Sequence, residues 1–165
     1  MKSDLRSDCC MCSSTGMRII LIIASLYKWR IVKADVKNAF LQTGLAQRDV
    51  YVISPRESTS RKSLRLLLAA AHGLVNSNSN WQLQSDRALL NMGLEQCRQI
   101  PQPSWMKRNG RTVLIIAKIV DEMLAIGEIS NVKIFINKVN SQSSIRTVNY
   151  LSLYTHLTLP TILLV

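Results

Sequence analysis

The stretch Leu114–Gly127, LIIAKIVDEMLAIG, places two adjacent carboxylates, Asp121 and Glu122, inside an otherwise apolar run. The chain has only ten acidic residues, so a side-by-side pair in such surroundings stands out. A buried carboxylate without a partner is so unfavourable that it normally loses its charge, pairs with a cation or binds a metal. The pair therefore needs a cation, a metal ion or a turn that exposes it to water.

A third carboxylate, Asp35, lies in another strand-like segment, WRIVKADV, in which Ile31, Lys33 and Asp35 share one face. Carboxylates at strand ends and in hairpin turns can converge although they are far apart in sequence. Three of them in a basic protein are the ingredients of a two-metal site for phosphoryl transfer, with Mg²⁺ held by shared carboxylates. The basic residues that would hold phosphates are Lys28, Arg30, Lys33, Lys37, Arg56, Arg61, Lys62 and Arg65.

Each of these residues also has a purely structural interpretation. Asp35 precedes VKNAF and could cap a helix there, as Asp commonly does. Asp121 and Glu122 could simply mark a solvated hairpin turn. Phe40 and Trp81, taken singly, are typical of a hydrophobic core. Spacing alone leaves these alternatives open.

The composition indicates one folded domain with a polyanionic partner. Lys and Arg number 21 against 10 Asp and Glu, which gives a net charge of +11. Such an excess favours nucleic acid over an anionic membrane, because no basic amphipathic helix stands out. Cys9 and Cys12 have zinc-knuckle spacing, but a second pair is missing, so we expect no structural zinc. The absence of a secretory pattern predicts an intracellular protein, in a cytoplasmic particle or the nucleus.

The apolar periodicity predicts an α+β fold with a small antiparallel sheet and helices packed on one side. Asp121 is expected in the turn between strands 113–120 and 123–126, and Asn109-Gly110 is a hairpin signal. Residues 76–80, NSNSN, read as a loop. The expected helices carry Ile20, Ile23, Ala24 and Tyr27 after a cap at Ser13–Thr15; Leu64, Leu67, Leu68 and Ala71 between Ser58–Ser60 and Gly73; Trp81, Ser85, Ala88, Leu89 and Met92 up to Gly93; and Val132, Phe135, Ile136 and Val139 after a cap at Ser130.

Five segments in order resemble the reverse transcriptase domain of copia-type long-terminal-repeat retrotransposons. They are ADVKNAFLQTGL, DVYVISP, AAAHGLVNSNSNW, LLNMGL and VLIIAKIVDEMLAIG. The resemblance covers roughly residues 17–143. It implies a partial polymerase palm with part of the fingers over residues 17–150, after a disordered polar leader at 1–16. Residues 151–165 form an apolar tail in which SLYTHLTLPT is similar to sequencing-adapter read-through.

The resemblance implies an RNA-directed DNA polymerase, a nucleotidyltransferase that extends a primer 3′-hydroxyl with deoxynucleoside triphosphates on an RNA or DNA template. Asp35, Asp121 and Glu122 match its catalytic carboxylates, and Asp35 and Asp121 match the ligands of two Mg²⁺ ions. The residues expected to bind nucleotide or template are Phe40, Gly73, Asn76 and Lys33. The other expected partner is the remainder of a polyprotein, and no membrane is involved.

Departures from the family pattern predict a weak or inactive isolated chain. Glu122 replaces an aspartate and is one methylene longer, which shifts its carboxylate by more than a catalytic site tolerates. Ile119 and His72 replace tyrosines, and Val75 and Ser79 replace basic residues. The alternatives are a non-catalytic, basic nucleic-acid-binding remnant of a decayed element, and an open reading frame that is never translated.

Overall fold

The computed structural model describes residues 11–43, 49–53, 64–96, 102–142 and 145–151. The chain divides into two compact units. Among the described residues, one unit contains residues 38–86 and the other contains residues 11–37 and 87–151. The second unit holds the acidic hairpin and most of the secondary structure, and each unit is described separately below.

The second unit is built on a six-stranded antiparallel sheet. The strands are β1 (Arg30–Val36), β4 (Glu95–Gln96), β5 (Ser104–Arg108), β6 (Arg111–Ile119), β7 (Glu122–Gly127) and β8 (Ile145–Leu151), in the order β4-β5-β6-β7-β1-β8. The first unit contains a two-stranded antiparallel pair, β2 (Tyr51–Ile53) and β3 (Leu64–Leu66). The central strands β6, β7 and β1 are rich in β-branched and aliphatic residues, which pack well on a pleated surface.

Three α-helices accompany the strands: α1 (Ser14–Leu26), α2 (Ser77–Asn91) and α3 (Ile129–Gln142). The expected cap of α1 is confirmed, because Ser13 Oγ accepts a hydrogen bond from the Gly16 amide at 3.0 Å. The end of α2 near Gly93 is also confirmed, with the glycine at a φ of +87° just after the helix.

The sheet is covered on both faces. Ile20 and Ala24 of α1 pack in one cluster with Ile31, Ile115 and Ile126, which occupy one face of β1, β6 and β7. The alternate strand residues point the other way and are equally buried, and α3 packs against the same three strands. The prediction of helices on one side of the sheet is therefore wrong. Burial on both faces also explains why Leu114–Ala117, LIIA, is a continuous apolar run.

The hairpin signal at Asn109-Gly110 is confirmed. Both residues have positive φ, 50° and 74°, and Arg108 pairs with Arg111 across the two-residue turn. Two consecutive positive φ values are what a type I′ turn requires, and glycine adopts them without steric penalty.

Three local predictions are wrong. The expected helix over residues 64–71 is instead strand β3, whose Leu64 and Leu66 pair with Ile53 and Tyr51. A short apolar run fits both periods, and here cross-strand pairing prevails. Residues 77–80 of the expected loop at 76–80 form the first turn of α2, since Asn and Ser are common at helix starts as well as in loops.

The third wrong prediction is the start of α3: the helix begins at Ile129 rather than after Ser130. The carbonyl of Glu128 accepts a hydrogen bond from the Val132 amide at 3.0 Å, so Ser130 lies inside the helix. Strands β4 and β8 had no counterpart in the sequence analysis. The predictions that lie outside the described residues concern Cys9, Ser58–Ser60, Arg56, Arg61, Lys62 and most of the leader and tail.

Candidate active site

The acidic hairpin and the strand that carries Asp35 are neighbours in the sheet. Strands β1 and β7 pair in antiparallel register, with Asp35 directly opposite Glu122. The ladder continues into the turn, because the Val36 amide donates a hydrogen bond to the Asp121 carbonyl at 3.1 Å. Asp35, Asp121 and Glu122 are all half-buried. The structure thus places the backbones of Asp35, Asp121 and Glu122 next to one another at one end of the central strands.

Asp121 lies in a two-residue turn, as expected. Ile119 pairs with Glu122, which leaves Val120 and Asp121 as the turn residues. Val120 has a φ of 55°, in the left-handed region that is unfavourable for a β-branched side chain. Strain of this kind persists only where the surrounding structure enforces it, and it is frequent at functional sites. Here the tight reversal sets Asp121 at the tip of the hairpin.

Glu122 has a cationic partner in the neighbouring strand. The Lys33 ammonium lies 2.5 Å from Glu122 Oε1, and the two side chains are 36% and 37% exposed. Lys33 and Asp35 are two residues apart on β1, so they project from the same face of the sheet. The apolar hairpin accommodates its two carboxylates in part through this ion pair and in part through the turn that holds Asp121.

The donor chemistry of the remaining carboxylates suits a hard cation. Asp35 and Asp121 offer carboxylate oxygens, the ligands that Mg²⁺ prefers, and the β1–β7 ladder fixes their backbones side by side. Within the described ranges, no three His, Cys, Asp or Glu side chains are grouped so that they could hold a metal ion. Magnesium commonly takes one or two carboxylates and completes its shell with water and substrate phosphate, so the pair fits that ion.

The structural interpretation of Asp35 as a helix cap does not hold. Asp35 is an internal residue of β1, and the short 3₁₀ turn Ala39–Gln42 that follows has Asn38 at its N-cap position. Asn38 has a φ of 49° and makes no side-chain capping bond. Asp35 therefore lies on the face of β1 that also carries Lys33, directly opposite Glu122 in β7.

The other predicted site residues belong to the unit of residues 38–86. Phe40 is buried and makes an edge-to-face contact with His72, with ring centroids 4.7 Å apart. Gly73 follows with a φ of +90°. Asn76 is only 2% exposed, yet neither its amide nitrogen nor its amide oxygen has a hydrogen-bond partner among the described residues. A buried amide that lacks both bonds is unfavourable by about 1–3 kcal/mol per group, which is unusual in a purely structural residue.

Comparison with known protein families decides the classification. The family model described as reverse transcriptase (RNA-dependent DNA polymerase) matches residues 8–160. The chain belongs to the reverse transcriptase family. The match contains all of the described residues and extends into the tail that begins at residue 151. No curated protein and no solved structure matched the chain.

Membership in the reverse transcriptase family implies, in general terms, a nucleic acid template and nucleotide substrates. It agrees with the net charge of +11, which favours polyanions. Within the described ranges, no helix combines the length and the hydropathy needed to cross a bilayer.

Two features of the sheet that carries the candidate site were not anticipated from sequence. The ion pair between Lys33 and Glu122 depends on the register of β1 against β7, and a hydrophobic pattern does not specify register to the residue. Gly127 was treated only as the end of a strand, although a Cβ there would lie 2.5 Å from the Val113 carbonyl oxygen. Gly127 is the last residue of β7, and a glycine in a strand often marks the close approach of another backbone.

Proposed function

We propose that the chain is a palm-and-fingers fragment of a copia-type retrotransposon polyprotein and catalyses RNA-directed DNA synthesis with Asp35 and Asp121 as its central carboxylates. The palm corresponds to the unit that holds the six-stranded sheet. The observation that carries the proposal is the pairing of β1 with β7, which sets Asp35 opposite Glu122 and tethers Val36 to Asp121. The five ordered sequence segments support the copia-type assignment.

The proposed reaction joins the primer 3′-oxygen to the α-phosphorus of a deoxynucleoside triphosphate. The hydroxyl proton passes to solvent, the bond to the β-phosphate breaks, and pyrophosphate leaves. Asp35 and Asp121 would hold two Mg²⁺ ions, which when bound polarise the phosphate and lower the pKa of the attacking hydroxyl. The strand ladder supplies the positioning, because its hydrogen bonds hold the carboxylate-bearing backbones before any ligand arrives.

Residues of the other unit have proposed roles in nucleotide binding. Phe40 would lie under the sugar of the incoming nucleotide and disfavour a 2′-hydroxyl, the role of the matching aromatic in the copia-type pattern. Gly73 and Asn76 would line the nucleotide and template pocket. The unpartnered amide of Asn76 supports this role, since a base edge offers the complementary donor and acceptor.

Glu122 is the reason to expect slow turnover. Its carboxylate is longer by one methylene than the aspartate of the family pattern, and it is engaged by Lys33 rather than turned toward a free ion. A catalytic carboxylate must be held within about 0.5 Å of its productive position. We therefore propose a reverse transcriptase domain that is impaired as an isolated chain.

Primer extension on an RNA template with Mg²⁺ tests the site. The chain and its Asp121→Asn variant are compared with Asp49→Asn, a matched loss of one charge at an exposed position outside the hairpin. The expected result is incorporation by the chain and by Asp49→Asn, with none detectable for Asp121→Asn. Incorporation that survives Asp121→Asn would refute the assignment of the site.

A second candidate is a non-catalytic nucleic-acid-binding remnant of a decayed element, favoured by the net charge of +11 and by the engagement of Glu122 with Lys33. Binding would then fall steeply with salt and be indifferent to Mg²⁺ and to Asp35→Asn. An oligonucleotide titration with and without Mg²⁺, on a preparation that shows no primer extension, distinguishes this candidate from the polymerase.

A further inference from the structure

The tip of the β5–β6 hairpin concentrates positive charge at the end of β6 opposite to the acidic turn. Arg108 and Arg111 are directly paired across the Asn109-Gly110 turn, and both are exposed. The two strands, residues 104–108 and 111–119, contain no Asp or Glu. Like charges directly opposite each other destabilise an antiparallel pair. The hairpin therefore carries an arrangement that folding alone does not favour.

The carboxylate of the adjacent strand β4 is already engaged. Glu95 of β4 accepts hydrogen bonds from Lys107 Nζ at 2.9 Å and from Trp105 Nε1 at 3.0 Å. Lys107 in turn lies 5.9 Å from the centroid of the Trp105 ring. Within the described ranges, no ion pair or hydrogen bond involves either guanidinium of Arg108 or Arg111. Two adjacent guanidinium groups are thus left facing solvent on a rigid two-residue turn.

We propose that Arg108 and Arg111 form a second nucleic-acid contact, which binds the phosphate backbone of the nucleic-acid strand held by this protein. Guanidinium groups match phosphate oxygens in bidentate geometry, and two arginines that flank a type I′ turn lose little backbone freedom on binding. Nucleic acid is favoured over other polyanions because the chain belongs to the reverse transcriptase family. The contact goes beyond the proposed catalytic function, since it requires neither Asp35 nor a metal ion.

The contact is spatially separate from the acidic turn. Strand β6 has nine residues, so Arg111 lies roughly 26 Å from Ile119 at about 3.3 Å per residue. The hairpin contact therefore acts on nucleic acid away from the reacting end, as an anchor that contributes affinity without reading sequence. Substitution of the arginines is expected to leave the catalytic carboxylates unaffected.

The test is the salt dependence of binding, measured by fluorescence anisotropy on the full chain without Mg²⁺. The probes are a fluorescein-labelled oligothymidylate and an oligouridylate of equal length. Arg108→Gln/Arg111→Gln is compared with Lys133→Gln/Lys138→Gln, which removes the same charge from exposed positions on α3. Loss of two phosphate contacts should reduce the magnitude of the slope of log K against log salt by about 1.4 for a single strand. If the affinities of parent and variant become equal near about 1 M salt, the variant binds roughly 25-fold more weakly at about 0.1 M salt.

The expected result is that only the arginine variant shows this loss, while its melting temperature equals or exceeds that of the parent. A stronger effect with the oligouridylate would assign the contact to RNA, and equal effects would assign it to the phosphate chain of either nucleic acid. Equal losses in both double variants would overturn the proposal, because general charge would then explain the affinity. Retained oligonucleotide binding with lost binding to phosphatidylserine vesicles would also overturn it.

Discussion

Asp35 lies directly opposite Glu122 in the ladder between β1 and β7, and Lys33, two residues earlier on β1, pairs with the Glu122 carboxylate. Two carboxylates at directly opposed positions repel each other, by about 0.2–1 kcal/mol relative to a neutral pair. Lys33 offsets this repulsion on the side of Glu122. The same lysine occupies one carboxylate oxygen of Glu122, the residue next to Asp121 in the chain.

A double-mutant cycle on Lys33→Met and Glu122→Gln measures that coupling. We expect a coupling free energy of about 0.2–1 kcal/mol in urea unfolding, declining as salt is raised, because both side chains are over one-third exposed. Lys33→Met should be the more destabilising single change, since it removes the cation that pairs with Glu122 opposite Asp35. Lys133→Met on α3 serves as the matched control and should show no coupling to Glu122→Gln. A coupling near zero at low salt would contradict the pairing.

Val120→Gly should raise the free energy of unfolding. The left-handed φ of 55° is unfavourable for valine by about 1–2 kcal/mol, and glycine relieves it at an entropic loss of about 0.5–1 kcal/mol. The net gain expected in urea unfolding is about 0.5–1 kcal/mol. Val113→Gly in the same hairpin, where φ is negative, should instead be destabilising. If both variants lose stability equally, the turn is not strained.

Gly127→Ala should destabilise the sheet by about 1–3 kcal/mol, the usual effect of overpacking. The added Cβ would lie 2.5 Å from the Val113 carbonyl oxygen and 3.1 Å from Leu114 Cα, and both atoms belong to the backbone, which cannot rotate away. Gly16→Ala is the control, because its nearest neighbours are the side chains of Ser13 and Cys12. It should remain within about 1 kcal/mol of the parent in thermal or urea unfolding. Equal losses for the two variants would argue against the close approach at Gly127.

Glu95 links stability to pH on the far side of the sheet. Hydrogen bonds from Lys107 and Trp105 hold the pKa of Glu95 below its ordinary value of 4.5. A carboxyl group with a lowered pKa contributes stability above its unfolded pKa, and that contribution is lost as pH falls through the folded pKa. The melting temperature of Glu95→Gln should therefore lie below that of the parent at neutral pH and converge with it at acid pH. A difference that is constant with pH would exclude this linkage.

The β5–β6 hairpin and strand β1 were well predicted from the sequence, because the signals for them are local. The Asn109-Gly110 turn, the long apolar run of β6 and the alternating β1 each fix an element without reference to the rest of the chain. Residues 64–68 carried no such signal, since a short leucine-rich run suits a helix or a strand and only pairing with β2 decides. Strand β8 is mostly exposed and follows no apolar period, so nothing in its composition announced it.

The site was predictable in its residues but not in its contacts. Asp35 and Asp121 could be selected because carboxylates in apolar segments need an explanation, and the family resemblance supplied one. The Lys33–Glu122 ion pair could not be predicted, because it forms only when Asp35 lies opposite Glu122. A shift of one residue in the register would abolish it.

Strand β1 is hydrogen-bonded to β7 on one side and to β8 on the other, with a register irregularity between Asp35 and Val36 on the β8 side. A one-residue shift would turn Asp35 from its half-buried face toward the packed face below α3. Such a shift would have to break both ladders at once. The alignment of the carboxylates is thus cooperative: it is lost only when both ladders of β1 break together, and local opening of one strand pair leaves it intact.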